Sequence, residues 1–185
     1  MEKSNIDEKI KLLTGSGMWH TQEVEGLPSV HLSDGPHGLR KQEEKERQNN
    51  VSLVSTCYPT ASALACSWDV TAAERLGRAV AKEAWNADVA VLLGPGINMK
   101  RSPLCGRNFE YFSEDPFLAG RLGAAYVSAA QGEDVAVSLK HFAANNQETN
   151  RQTANSQIDE RALREIYVSA FEYVVKTAGP ATVMA

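Results

Sequence analysis

Short apolar runs alternate with amphipathic segments along this chain, and that alternation restricts the fold more than any single residue does. Residues 29–33 (SVHLS), 89–93 (VAVLL), 135–139 (VAVSL) and 181–185 (ATVMA) read as strands. Short runs of this kind suit strands of a parallel sheet that is covered on both faces. Helical patterns lie between them. Asp69 reads as an N-cap, and Val70, Ala73, Leu76, Val80 and Ala84 recur at three- and four-residue steps. Asp115 and Pro116 open a second helix with Leu118, Leu122, Ala125 and Ala129 on its inner face. A third begins near Asp159, carries Leu163, Ile166, Tyr167, Ala170 and Val174 inward, and stops at Gly179-Pro180. A short helix over residues 7–13 precedes them all. Repeated βα units imply a parallel sheet with helices outside, either an open doubly wound sheet or a (β/α)8 barrel. A full barrel takes about 250 residues. This chain has 185 residues, enough for the first four to five units, and ends within a strand. The expected fold is therefore α/β, of the (β/α)8 TIM-barrel type but incomplete, as one partial domain over residues 1–185.

Composition removes several classes of function. A net charge of −4 gives no electrostatic footprint for nucleic acid. No apolar run approaches the roughly 20 residues that a bilayer requires, and the charged start is unlike a secretory signal, so no membrane partner is expected. Cys57, Cys66 and Cys105 match no disulfide framework or zinc spacing, and a reducing cytoplasm is the simplest setting. His20, His31 and His37 have no ligand spacing, so no metal is proposed, and no cofactor is implied. Gly94-Pro95-Gly96 lacks both GKS/T and GxGxxG, which disfavours a phosphate cradle. Residues 41–50 are wholly polar and read as a solvated loop, while the small residues of 58–67 suit close packing. Trp68 and Trp85, in or beside a helix, are expected to pack; with Trp19, their alternative is to stack on a ligand face.

The chemistry sits where strands end. Lys140 and His141 arrive together after the run at 135–139, followed by Asn145, Asn146, Gln147, Glu148, Asn150 and Arg151. The carboxyl end of a parallel strand is where α/β folds keep their binding groups. A plain solvated strand exit is the alternative. Asp34 lies in a stiff loop of two glycines and a proline, either held over a pocket or capping its own turn. Arg107 follows Gly106 in a long loop, residues 98–116, free to fork onto hydroxyls or to pair at the surface with Glu110. Asp34, Arg107, Lys140 and His141 all follow a strand, which places them on one rim. A lysine at a strand end could also form a Schiff base in an aldolase-like barrel, but hydroxyl recognition explains its neighbours better.

Three segments in order, SDGPHGLR (33–40), LLGPGINMKRSPLCGRNFEYFSEDP (92–116) and SLKHFAANNQETNR (138–151), together resemble the N-terminal domain of family-3 glycoside hydrolases, most closely the bacterial β-glucosidase branch. Residues 158–185 fit it as well. The resemblance implies that Asp34, Arg107, Lys140 and His141 hold hydroxyls of the sugar at subsite −1. Arg151, and less directly Arg40, would lie near that shell. The implied ligand is a glycoside or a monosaccharide such as glucose, and the implied parent is a retaining β-glucosidase-type enzyme acting on terminal non-reducing β-linked sugars. Such enzymes need two carboxylates about 5–5.5 Å apart. The family's nucleophile stands in a Ser-Asp-Trp motif, which these 185 residues lack, and its acid/base comes from a second domain. The chain alone is therefore expected to be inert, with no catalytic residue of its own. A non-catalytic sugar-binding module or pseudoenzyme is the alternative. The expected protein partner is the missing C-terminal part, or another copy through open barrel edges.

Overall fold

The structure is a computed structural model that describes residues 6–35, 37–43 and 51–185. Four parallel strands form one sheet in chain order: β1 (Leu32–Asp34), β2 (Val91–Leu93), β3 (Ala136–Lys140) and β4 (Thr182–Met184). The register pairs Ser33 with Leu92, Leu92 with Val137, and Leu139 with Val183. The helices are α1 (Ile6–Lys11), α2 (Ala61–Ala65), α3 (Val70–Asn86), α4 (Pro116–Gln131), α5 (Glu160–Ala162) and α6 (Ser169–Ala178).

The expected α/β architecture is observed, with strands shorter than their apolar runs. Val89 belongs to the turn out of α3, where its N–H donates to the Ala84 carbonyl. Ser29 and Val30 bind back to Thr21 instead of entering the sheet. The start of β1 is flanked by the 19–21 segment, with the Leu32 N–H donating to the Trp19 carbonyl at 2.7 Å. Residues 44–50 of the polar loop lie outside the described residues.

Caps hold the helices as the sequence implies. The carboxylate of Asp69 accepts from the Thr71 N–H at 2.8 Å, that of Asp115 from the Phe117 N–H at 2.9 Å, and that of Asp159 from the Ala162 N–H at 3.0 Å. Gly179 closes α6 at φ 55°, a left-handed position that costs glycine nothing. The third expected helix is interrupted: α5 runs into a π-helical turn, Leu163–Tyr167, before α6 begins. Residues 58–67 hold the short helix α2, capped by the Thr60 hydroxyl.

Packing explains the small residues. Helix α3 lies against α4, and α4 against α6. A Cβ at Gly77 would sit 2.5 Å from the Tyr126 carbonyl oxygen, so the two backbones approach only because that atom is missing. Leu92, Val137 and Leu139 of the sheet share one core with Val80, Leu122, Val127 and Val174 of the helices. Trp68 and Trp85, expected to pack, are 73% and 60% exposed. The inner face of α3 is taken by Ala73, Leu76, Gly77, Val80, Ala81 and Ala84, so position 85 turns outward.

Candidate functional site

The last residues of the four strands are Asp34, Leu93, Lys140 and Met184, and all four line one cleft of about 490 Å³. Parallel strands in register deliver their carboxyl ends to the same rim, so the topology alone gathers them. The remaining lining comes from loops: Arg40, Arg107, Phe109, Glu110, His141 and Arg151. Six residues singled out from the sequence, Asp34, Arg40, Arg107, Lys140, His141 and Arg151, thus meet in one concavity.

A charge network centred on the buried Lys140 and Glu110 forms its floor. The Lys140 ammonium is 3.5 Å from Asp34 Oδ1 and 3.5 Å from Glu110 Oε2. The other oxygen of Glu110 accepts from Arg107 Nε. Arg107 does pair with Glu110, but not at the surface: the Glu110 side chain is only 4% exposed. Burial works against the Arg107 cation, and the Glu110 carboxylate more than offsets it, holding the guanidinium above its ordinary range. Among the described residues, the Asp34 carboxylate pairs with Lys140 and not with its own turn. Its backbone carbonyl accepts from the Arg40 N–H at 2.7 Å while the side chain, a third exposed, faces Lys140.

A neutral imidazole stands beside this network. Arg107 Nη2 donates to His141 Nε2 at 2.7 Å. A guanidinium has only donors, so this contact assigns the ring proton to Nδ1. Nδ1 faces the Tyr111 hydroxyl at 3.1 Å and Asn98 Oδ1 at 3.3 Å. Burial, then the charges of Arg107, Lys140 and Arg151, push the His141 pKa down to about 3. Burial also raises the Tyr111 phenol, which stays protonated and accepts from Asn145 Nδ2 at 2.9 Å. Glu148 then ties Asn145 to Arg151, the latter at 3.1 Å. The glycine-rich turn after β2 is tied to the end of β3: the Lys140 N–H donates to the Pro95 carbonyl, and the Ile97 N–H to the Lys140 carbonyl.

Chemically, the cleft presents arginine and lysine N–H donors, carboxylate acceptors and one neutral imidazole within a small volume. That set suits a compact polyhydroxyl ligand, because charged groups hydrogen-bond hydroxyls more strongly than neutral ones. Sequence reasoning missed Glu110, Tyr111 and Asn98 as parts of the site. The three-residue step from Arg107 to Glu110 was the available signal, but it carries no information about burial.

The profile of the glycosyl hydrolase family 3 N-terminal domain matches residues 36–185. The chain belongs to glycosyl hydrolase family 3. Within that family it is 51% identical, over all of its length, to thermostable beta-glucosidase B of Acetivibrio thermocellus, 25% of which it covers. It is 49% identical over 97% of its length to the exo-alpha-(1->6)-L-arabinopyranosidase of Bifidobacterium longum, covering 24% of that protein. Its fold superposes with a TM-score of 0.91 on the beta-glucosidase of Kluyveromyces marxianus in complex with glucose, at 43% identity, covering 98% of this chain and 21% of that one. The chain thus spans about a quarter of the length of the curated relatives it matches. As a family 3 chain, it has the parallel sheet of the TIM-barrel-type N-terminal domain in part.

Proposed function

We propose that this chain holds the glycone, the terminal non-reducing pyranose of a β-linked glycoside, for a retaining glycosidase of the β-glucosidase type. The observation carrying this reading is the convergence of four strand ends and Arg107 on one cleft floored by the Asp34–Lys140–Glu110–Arg107 network. Vicinal hydroxyls would take hydrogen bonds from Arg107 and Lys140 and donate to Asp34, while His141, its Nε2 lone pair taken by Arg107, would hold that guanidinium in place. Bonds that strengthen as the ring flattens toward an oxocarbenium ion lower the barrier.

The two relatives named above act, by their names, on different sugars. Glucose and arabinopyranose share a six-membered ring with a trans diol at C2 and C3, and that diol is the feature this cleft would read. Cleavage needs a nucleophile and an acid/base carboxylate. The acidic groups of the cleft, Asp34 and Glu110, are each committed to Lys140 or Arg107. The chain by itself is therefore a binder without turnover. The Schiff-base alternative has no support, because Lys140 is engaged by two carboxylates instead of presenting a free amine.

Calorimetric titration of the folded chain with glucose tests this reading. Saturable heat that Asp34→Asn abolishes, with no turnover of a chromogenic aryl β-glucoside, is expected. Absence of binding by a folded chain, or binding that ignores Asp34→Asn, overturns it.

A further inference from the structure

Glu110 is the one buried carboxylate among the described residues. Its two oxygens go to different parts of the chain. One accepts from Arg107 in the loop after β2; the other faces the ammonium of Lys140 at the end of β3. Removing an ionised carboxylate from water is costly unless it is paired, and here both cations are required to pair it. The reverse dependence matters more for the cleft. Arg107 commits Nε to Glu110 and Nη2 to His141, and its Nη1 has no partner among the described residues. Lys140 has three N–H groups and two carboxylate neighbours, leaving one. Spare donors on two side chains held by a common carboxylate are thereby available to neighbouring ring hydroxyls.

We propose that Glu110 is a positioning residue, which holds the Arg107 guanidinium and the Lys140 ammonium side by side so that their remaining N–H groups grip adjacent hydroxyls of one pyranose. This rests on the sugar-binding reading above. It makes the affinity of the cleft depend on a side chain that lies beneath the ligand-facing donors.

The test compares the 185-residue chain with Glu110→Gln and Glu110→Asp, using glucose and its 2-, 3- and 4-deoxy analogues in calorimetry, and the Arg107 Nε–H resonance in NMR. Glu165→Gln, on an exposed helical pair, controls for loss of one charge. A purely structural role lowers the unfolding midpoint and leaves the affinity of the folded chain unchanged. Positioning predicts that folded Glu110→Gln binds glucose about tenfold more weakly, the scale of one charged hydrogen bond, and loses discrimination among the deoxy sugars. Equal affinity overturns the proposal. If Glu110→Gln does not fold, Glu110→Asp decides: it keeps the charge but retracts it by one methylene, so roughly threefold or greater weakening supports positioning and wild-type affinity overturns it. If the wild-type chain binds no glucose, the sugar-binding reading falls by itself. Glu110 is then judged by the Arg107 resonance, which must be slowly exchanging in the wild type and lost in Glu110→Gln.

Discussion

Asn98 grips the backbone of His141 on both sides: its side-chain oxygen accepts from the His141 N–H at 2.7 Å, and its amide nitrogen donates to the His141 carbonyl at 2.8 Å. The two residues are 43 positions apart in sequence, and the Asn98 side chain adds to the backbone bonds of Pro95 and Ile97 a side-chain tie between the loop after β2 and the end of β3. Asn98→Ala removes both bonds and leaves polar backbone groups without partners. A loss of about 2–4 kcal/mol is expected, read as a lower urea midpoint with unchanged slope. An unchanged midpoint would mean that solvent replaces the amide.

His141 gives the fold an acid-sensitive element. Its pKa is about 3 in the folded chain against an ordinary value of 6.5. The unfolded chain therefore takes up this proton first as pH falls. The contribution is intact above about pH 6.5 and is lost progressively between there and pH 3. The groups facing the ring are Arg107, Tyr111 and Asn98, with the charges of Lys140 and Arg151 nearby. Denaturation of wild type and His141→Asn from pH 7 to pH 4 should show the wild type losing its advantage on acidification. A difference that stays flat with pH would contradict a buried neutral imidazole.

Gly77→Ala sets two effects against each other. Alanine is the better helix former by roughly 1 kcal/mol. The added methyl, however, would meet the backbone of Tyr126 at 2.5 Å and 3.1 Å, which no rotamer change relieves. Overpacking of this kind costs about 1–3 kcal/mol, so a net destabilisation is expected and a thermal melt should show it. A rise in melting temperature would mean that α3 and α4 slide apart freely.

Arg151 separates binding from folding. Its side chain is half exposed and pairs with Glu148 at 3.1 Å, a contact worth about 0–1 kcal/mol. Arg151→Ala should leave the melting temperature nearly unchanged and weaken glucose binding in calorimetry. Intact affinity would remove Arg151 from the cleft's working set.

The parts of this architecture set by local chemistry were legible. Asp69, Asp115 and Asp159 announce helix starts by their own hydrogen-bonding capacity, and Gly179 announces a stop. Lys140 and His141 stand out because charge follows an apolar run without a break. The illegible parts depend on long-range packing. Glu110 looks like a surface acid until the fold places Lys140 beside it. Tyr111 and Asn98 look like ordinary loop residues, yet they are 0% and 1% exposed. Trp85 looks like core until neighbouring positions fill the inner face of α3.

The sign of charge alternates along Asp34, Lys140, Glu110 and Arg107. Any single reversal would press like charges against the buried Lys140 or Glu110, so this quartet resists piecemeal mutation. Variation among descendants of such a sequence would be channelled to the uncharged rim, Leu93, Phe109 and Met184, where bulk can change without electrostatic penalty. A new ligand preference would then arise by reshaping the walls around an inherited ionic floor.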